Sequence, residues 1–151
     1  MFIIPNPQEL EIKDELVDVS SVCVEADEEI SFAKKLCESG NVKISFSKNS
    51  SLDEEQYKID VDANGIKVLY ATREGAYRAV ATLKQILAQR VDGKVHAMSI
   101  NDYPDIANRG YMLDISRGRI PNLSHIKIIV DILADLKYNQ LQLYIESRVK
   151  S

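Results

Sequence analysis

The 151-residue sequence has no tryptophan, two cysteines and two histidines. Each scarcity removes a class of function. Without tryptophan, and with its seven tyrosines dispersed, the chain lacks the exposed aromatic platform on which sugar-binding modules stack a pyranose face. Cys23 and Cys37 form no CxxC pair, and His96 and His125 stand far from both, so no zinc site is expected and no cofactor is implied. The two cysteines read as buried core thiols; a Cys23–Cys37 disulfide needs a strand and a helix to bring them side by side. Charges interrupt every apolar stretch well short of the roughly 20 residues of a membrane-spanning helix. The opening Met1-Phe2-Ile3-Ile4-Pro5-Asn6-Pro7 has neither a basic nor an apolar signal region, so the cytoplasm is the expected location. Basic residues are scattered and formal net charge is -4, which argues against nucleic acid or an anionic membrane as partner.

What remains is an ordinary globular composition, 45% hydrophobic and 28% charged. Residues 1–14 read as an irregular lead-in, because Pro5 and Pro7 prevent regular pairing. Val17, Val19, Val22 and Val24 suggest one strand with a bulge near Ser20-Ser21. Asp27 is a candidate cap for a helix carrying Ile30, Ala33, Leu36 and Cys37, with Gly40 as its stop. Val42 to Ser47 alternates as a strand. Tyr57, Ile59 and Val61 alternate with charges, and so do Ile66, Val68 and Tyr70. The Asn64-Gly65 between them predicts a hairpin whose turn residues both take positive φ. A long helix then places Ala76, Ala79, Val80, Leu83, Ile86 and Leu87 on one stripe. Asp92-Gly93 turns the chain into a further strand through Val95, Ala97 and Ser99. The fold class expected is α+β, a sheet with helices gathered on one face.

Asn101-Asp102-Tyr103-Pro104-Asp105 reads as a loop and a domain boundary, dividing residues 1–103 from 104–151. After it, Gly110 to Ile115 is a strand. A helix capped by Asn122 or Ser124 carries Leu123, Ile126, Ile129, Val130, Leu133 and Leu136 on one face. Leu141, Leu143 and Ile145 form a second strand. Strand, helix and strand in about forty residues make one parallel βαβ unit. One unit cannot cover both faces of its strands, so this piece is expected to begin something larger, and Val149-Lys150-Ser151 reads as an arbitrary stop. Its open edges could support self-association.

Three stretches resemble a known family. Ile4-Pro5-Asn6-Pro7 is similar to the opening of the accessory domain of glycoside hydrolase family 20, the β-N-acetylhexosaminidases. Gln56-Tyr57-Lys58-Ile59 through Asn64-Gly65-Ile66, then Ala71 to Leu83, resembles that domain's hairpin and helix. Asp102-Tyr103-Pro104 with Arg109-Gly110-Tyr111-Met112-Leu113-Asp114-Ile115-Ser116-Arg117 resembles the segment that opens the catalytic barrel. Leu136-Lys137-Tyr138-Asn139-Gln140-Leu141-Gln142-Leu143-Tyr144 resembles the second barrel strand. The resemblance implies an accessory domain followed by the first strand, helix and second strand of an incomplete (β/α)8 barrel. It implies a parent enzyme that removes terminal β-linked GlcNAc or GalNAc from glycans with retention, the substrate's own acetamide oxygen attacking the anomeric carbon. The family's catalytic Asp–Glu pair sits on the fourth barrel strand, so no catalytic residue is expected here and the chain alone is expected to be inactive.

By the same resemblance, Arg109 is the arginine that binds ring hydroxyls, a role suited to the fixed donor fork of a guanidinium. Asp114 and Arg117 are expected to support the pocket floor. Glu146 is a candidate pocket residue because it follows a strand's C-terminal end. Tyr144-Ile145-Glu146-Ser147-Arg148 departs from the family's histidine-bearing pattern, so no ligand role carries over there. Gly118-Arg119 replaces a His and an aromatic, so no histidine role carries over there either. The competing expectations are a non-catalytic scaffold or glycan-binding module, and a related acetamide-dependent glycosidase.

Overall fold

The computed structural model describes residues 1–38, 40, 42–117 and 120–146. Gly118-Arg119 and Ser147 to Ser151 therefore lie outside the described residues. The chain divides into two compact units, Met1–Asp105 and Ile106–Ser151.

The first unit holds strands β1 (Glu9–Asp18), β2 (Val22–Glu25), β3 (Val42–Lys48), β4 (Tyr57–Asp62), β5 (Gly65–Tyr70) and β6 (Lys94–Asp102). It also holds a 3-10 helix (Glu28–Leu36) and helix α1 (Arg73–Ala88). The six strands form one mixed sheet in the order β1-β6-β4-β5-β3-β2. β2, β3 and β5 run parallel to one another, while β4 pairs antiparallel with β5 and β6, and β1 antiparallel with β6. The observed class is therefore α+β. Tyr57, Ile59 and Val61 are buried while Lys58, Asp60 and Asp62 are half-exposed, so one face of the sheet is covered. The predicted α1 stripe, Ala76 to Leu87, is buried in full, and Leu83 and Ile86 are wholly enclosed. α1 also packs on the 3-10 helix, where Phe32 meets Tyr77 at 5.1 Å and the Arg73 guanidinium covers Phe32.

Four readings of this unit change. First, the lead-in is a strand from Glu9. All of β1 except Val17 is exposed, so an edge strand with two wet faces shows no alternation to read. Its irregularity lies between Ile12 and Leu16, not at Ser20-Ser21. Second, the valines do not share one strand: Val17 lies in β1 and Val22 and Val24 in β2, on opposite edges of the sheet, with Val19 in the connection between them. Third, Ile30, Ala33 and Leu36 recur every three residues and are buried as the stripe of a 3-10 helix. Asp27 makes no side-chain cap bond there, and the helix ends at Cys37, before Gly40. Gly40 serves close approach instead: a Cβ on it would collide with the Ser21 backbone carbonyl. Fourth, Asn101 and Asp102 are strand residues, and Asp102 is buried. The burial phase of β6 slips, so that Met98, Ile100 and Asp102 follow Val95 and Ala97 inward while Ser99 does not.

The turns also differ. In the β4–β5 hairpin only Gly65 has positive φ (123°) among the two predicted residues, and Asn64 N–H donates to the Asp62 carboxylate at 2.7 Å. The double positive-φ turn sits at Asp92-Gly93 (50° and 75°), closed by a reciprocal pair of bonds between Val91 and Lys94. Gln85 of α1 and Gln89, which caps its C-terminus, bond the N-terminal segment as a strand partner would. Gln85 exchanges bonds of 2.8 Å with the Ile4 backbone, and Gln89 does the same with Phe2.

The second unit holds β7 (Gly110–Asp114), α2 (Leu123–Asp135) and β8 (Gln140–Tyr144). β7 and β8 pair in parallel across the helical crossover, as the spacing predicts. Asn122 is the cap, accepting from His125 N–H at 3.0 Å. The helix is not apolar on one face alone: Ile128 and Ile132 are more than half exposed, outside the predicted stripe, and α2 buries no residue.

Candidate functional site

A parallel pair presents two distinct ends, and the motif residues divide between them. At the N-terminal end stands Arg109. Its Nε donates to the Lys137 carbonyl at 2.9 Å and its Nη1 to the Ile106 carbonyl at 2.7 Å. Asn139 completes this end: its Oδ1 accepts from Arg109 N–H at 2.9 Å and its Nδ2 donates to the Ala107 carbonyl at 2.7 Å. Lys137 is a non-glycine residue with φ of 63°, ending α2 with its N–H on Ala134 and the Tyr138 N–H on Leu133. That is a Schellman turn, and Arg109 fastens its carbonyl. Arg109, Lys137 and Asn139 thus clamp the chain where β7 and β8 begin.

At the C-terminal end, Asp114 closes β7 and the chain folds back on its carboxylate. Oδ1 accepts from Ser116 N–H and Ser116 Oγ at 2.8 Å each, and from Arg117 N–H at 3.2 Å. Oδ2 accepts from Arg117 Nε at 2.8 Å. Arg117 Nη1 then reaches Glu146 at 3.2 Å, and its guanidinium lies over the Tyr144 ring at 5.5 Å. Ser116 Oγ accepts from Glu146 N–H at 2.9 Å. The structure therefore brings Asp114, Arg117 and Glu146 together with Ser116 and Tyr144, and leaves Arg109 about 16 Å of strand away at the opposite end. Arg109, expected by resemblance to bind ring hydroxyls, here directs its guanidinium donors to main-chain carbonyls at the end of the strands opposite this cluster. The signal was available in the sequence, since Arg109 precedes the predicted strand and Arg117 follows it.

The backbone N–H of Ser116, the Arg117 guanidinium and the Ser116 hydroxyl hold the Asp114 carboxyl well below the usual carboxylate range. With the folded value depressed, the stabilisation by this cluster is complete above the ordinary aspartate value of about 3.9 and is lost only as pH falls through the lower folded value. A carbon-13 titration of Asp114 should show no inflection between pH 7 and pH 4, and Ser116→Ala should move the inflection upward. An inflection near the ordinary value in the unaltered chain would contradict the geometry. Arg117, on an exposed side chain, can present guanidinium donors outward from an anionic cradle, an arrangement suited to a polyhydroxylated ligand.

The family model described as glycosyl hydrolase family 20, domain 2, matches residues 23–103, more than half of the sequence. The chain belongs to glycosyl hydrolase family 20. It is 29% identical to a β-hexosaminidase of Porphyromonas gingivalis over 91% of its own length and 22% of that protein's. It is 35% identical to a β-hexosaminidase of Vibrio furnissii over 66% of its length, 16% of the relative. Among solved structures it resembles a family 20 exo-β-N-acetylglucosaminidase of Vibrio harveyi in complex with N-acetylglucosamine, with 27% identity and a TM-score of 0.75 over 94% of this chain and 25% of that one. The chain thus spans about a fifth of the length of the curated family 20 relatives it matches. The first unit contains all of the matched residues, and the Asp114–Arg117–Glu146 cluster lies beyond them.

Proposed function

We propose that the chain is the front section of a retaining β-N-acetylhexosaminidase. In this reading Met1–Asp105 is the family's accessory domain, and the second unit is the first strand, helix and second strand of its (β/α)8 barrel. The observation that carries the reading is the parallel β7–β8 pair with a polar cluster at its C-terminal ends, the edge on which such barrels build their pockets. The uncovered apolar residues on both sides of α2 and on the strands, Met112 and Leu143 among them, support it, because a barrel helix is buried against strands and neighbouring helices. Without those neighbours the same edges would drive self-association.

Within the barrel, hydrolysis proceeds through the substrate's acetamide oxygen, which displaces the leaving group and yields a cyclic intermediate that water opens, so the anomeric configuration is retained. The residues of this chain contribute binding. Arg117 is the group we assign to the ring hydroxyls of the terminal sugar, with Asp114 and Ser116 fixing its plane and Glu146 lying beside it. Arg109 holds the opposite end of the strands.

The test is an assay on an aryl β-N-acetylglucosaminide with this chain and with the protein continued through eight strands. The longer protein should turn over and this chain should not. Activity in the 151 residues, or inactivity of a folded longer protein on both GlcNAc and GalNAc glycosides, would refute the proposal.

A further inference from the structure

The cysteines are not core thiols. Cys23 is half-exposed on the edge strand β2, Cys37 is exposed at the end of the 3-10 helix, and no disulfide joins them. The backbone nonetheless holds them together. Glu38 N–H donates to the Val22 carbonyl at 2.8 Å, and Ser21 Oγ donates to the Glu38 carbonyl at 3.3 Å. The Glu38 carboxylate is gripped by both terminal nitrogens of Arg90, at 2.8 and 2.9 Å. Arg90 Nη1 in turn donates to the Val19 carbonyl at 2.9 Å. The Val22–Glu38 bond brings their chain neighbours Cys23 and Cys37 to adjoining places at the sheet edge, close enough for Cys37 to raise the Cys23 thiol above its ordinary range. Lys34 and Lys35, both exposed, occupy the last turn of the helix beside Cys37.

We propose that Cys23 and Cys37 form a reversible dithiol–disulfide site that exchanges with small anionic disulfides of the glutathione class. The exposed Cys37 thiolate attacks one sulfur of the small disulfide, forming a mixed disulfide and releasing one thiolate. Cys23, deprotonated, then attacks the Cys37 sulfur, closes the Cys23–Cys37 bond and releases the second thiolate. The protein gives up two protons and two electrons, and the small disulfide takes them to become two thiols. The lysines favour an anionic partner over a neutral one. The order of attack follows from exposure and from the resting state of Cys23. Its thiol is held above the ordinary range by the hydrogen bond to Cys37 and by that neighbour's charge. Both restraints fall away once Cys37 is capped, so the second step is eased by the first. The product ties the 3-10 helix to the sheet edge.

The experiment equilibrates the 151-residue chain with mixtures of reduced and oxidised glutathione, quenches in acid, alkylates and weighs the intact chain. The expected product is lighter by two hydrogens, takes up no alkyl group and carries no glutathione; excess reduced glutathione reverses it. Cys23→Ser should stop at a glutathione adduct on Cys37. The folded chain should reach half-oxidation at a ratio of oxidised to reduced glutathione about tenfold or more below that of the chain in urea, because the fold has already brought the thiols together. Persistent adducts on the unaltered chain, an intermolecular dimer as the oxidised form, or equal ratios in folded and unfolded chains would each overturn the proposal.

Discussion

Arg117→Ala, in the protein continued through its barrel, should lower kcat/KM on an aryl β-N-acetylglucosaminide by about 10- to 150-fold. That range corresponds to the roughly 1.5–3 kcal/mol of hydrogen bonds from a charged donor to substrate hydroxyls. Arg109→Ala should behave differently. Its guanidinium holds the carbonyls of Ile106 and Lys137, and its loss releases the Schellman turn and the entry to β7. The result expected is a lower Tm with kcat/KM close to unchanged at temperatures where the variant is folded. Arg117→Lys should recover little, because an ammonium lacks the fork that spans Asp114 and Glu146. If instead Arg109→Ala abolished turnover and Arg117→Ala did not, the assignment of the pocket to the C-terminal ends would be wrong.

Tyr57→Phe should destabilise the first unit by about 2–3 kcal/mol, the cost of stripping a buried carboxylate of a short donor. The Tyr57 hydroxyl lies 2.6 Å from both Thr82 Oγ1 and Asp102 Oδ2, and Tyr57, Thr82 and Asp102 are all buried. This network joins α1, β4 and the end of β6, so its loss should lower Tm by about 10 °C. Burial, reinforced by the Asp102 carboxylate, pushes the Tyr57 phenol far above its ordinary range. The unfolded chain alone releases that proton near pH 10, so this contribution is intact below about pH 10 and is lost as pH rises beyond it. Tm measured from pH 9 to 11 should fall more steeply for the unaltered chain than for Tyr57→Phe; parallel slopes would contradict the network.

Elements with one dry face were legible in the sequence. The β4–β5 hairpin and the α1 stripe show alternation of two and a spacing of three and four, and burial follows them. β7, α2 and β8 were legible as a parallel unit because the crossover length permits little else. β1 was not, because its residues face water on both sides and carry no pattern. Sheet order was not legible either: Val17 and Val24 share a motif in sequence yet occupy opposite edges, a consequence of long-range pairing. Asp102 read as a loop residue by type, whereas its partner Tyr57 lies 45 positions away. At the candidate site the residue types are legible in the sequence, and the end of the strand at which each stands decides its role. Arg109 and Arg117 carry the same chemistry, and only strand polarity separates a clamp from a ligand-facing group. Asn139 and Lys137, within a recognised motif, act on backbone and so offered no side-chain chemistry to notice.

The stereochemistry of the first turnover tests the central claim most directly. Proton NMR of the protein continued through its barrel, acting on an aryl β-N-acetylglucosaminide, should show β-N-acetylglucosamine appearing first and the α-anomer only later by mutarotation. An α-anomer formed first would mean direct displacement by water, and would contradict the acetamide-assisted mechanism proposed for the parent enzyme.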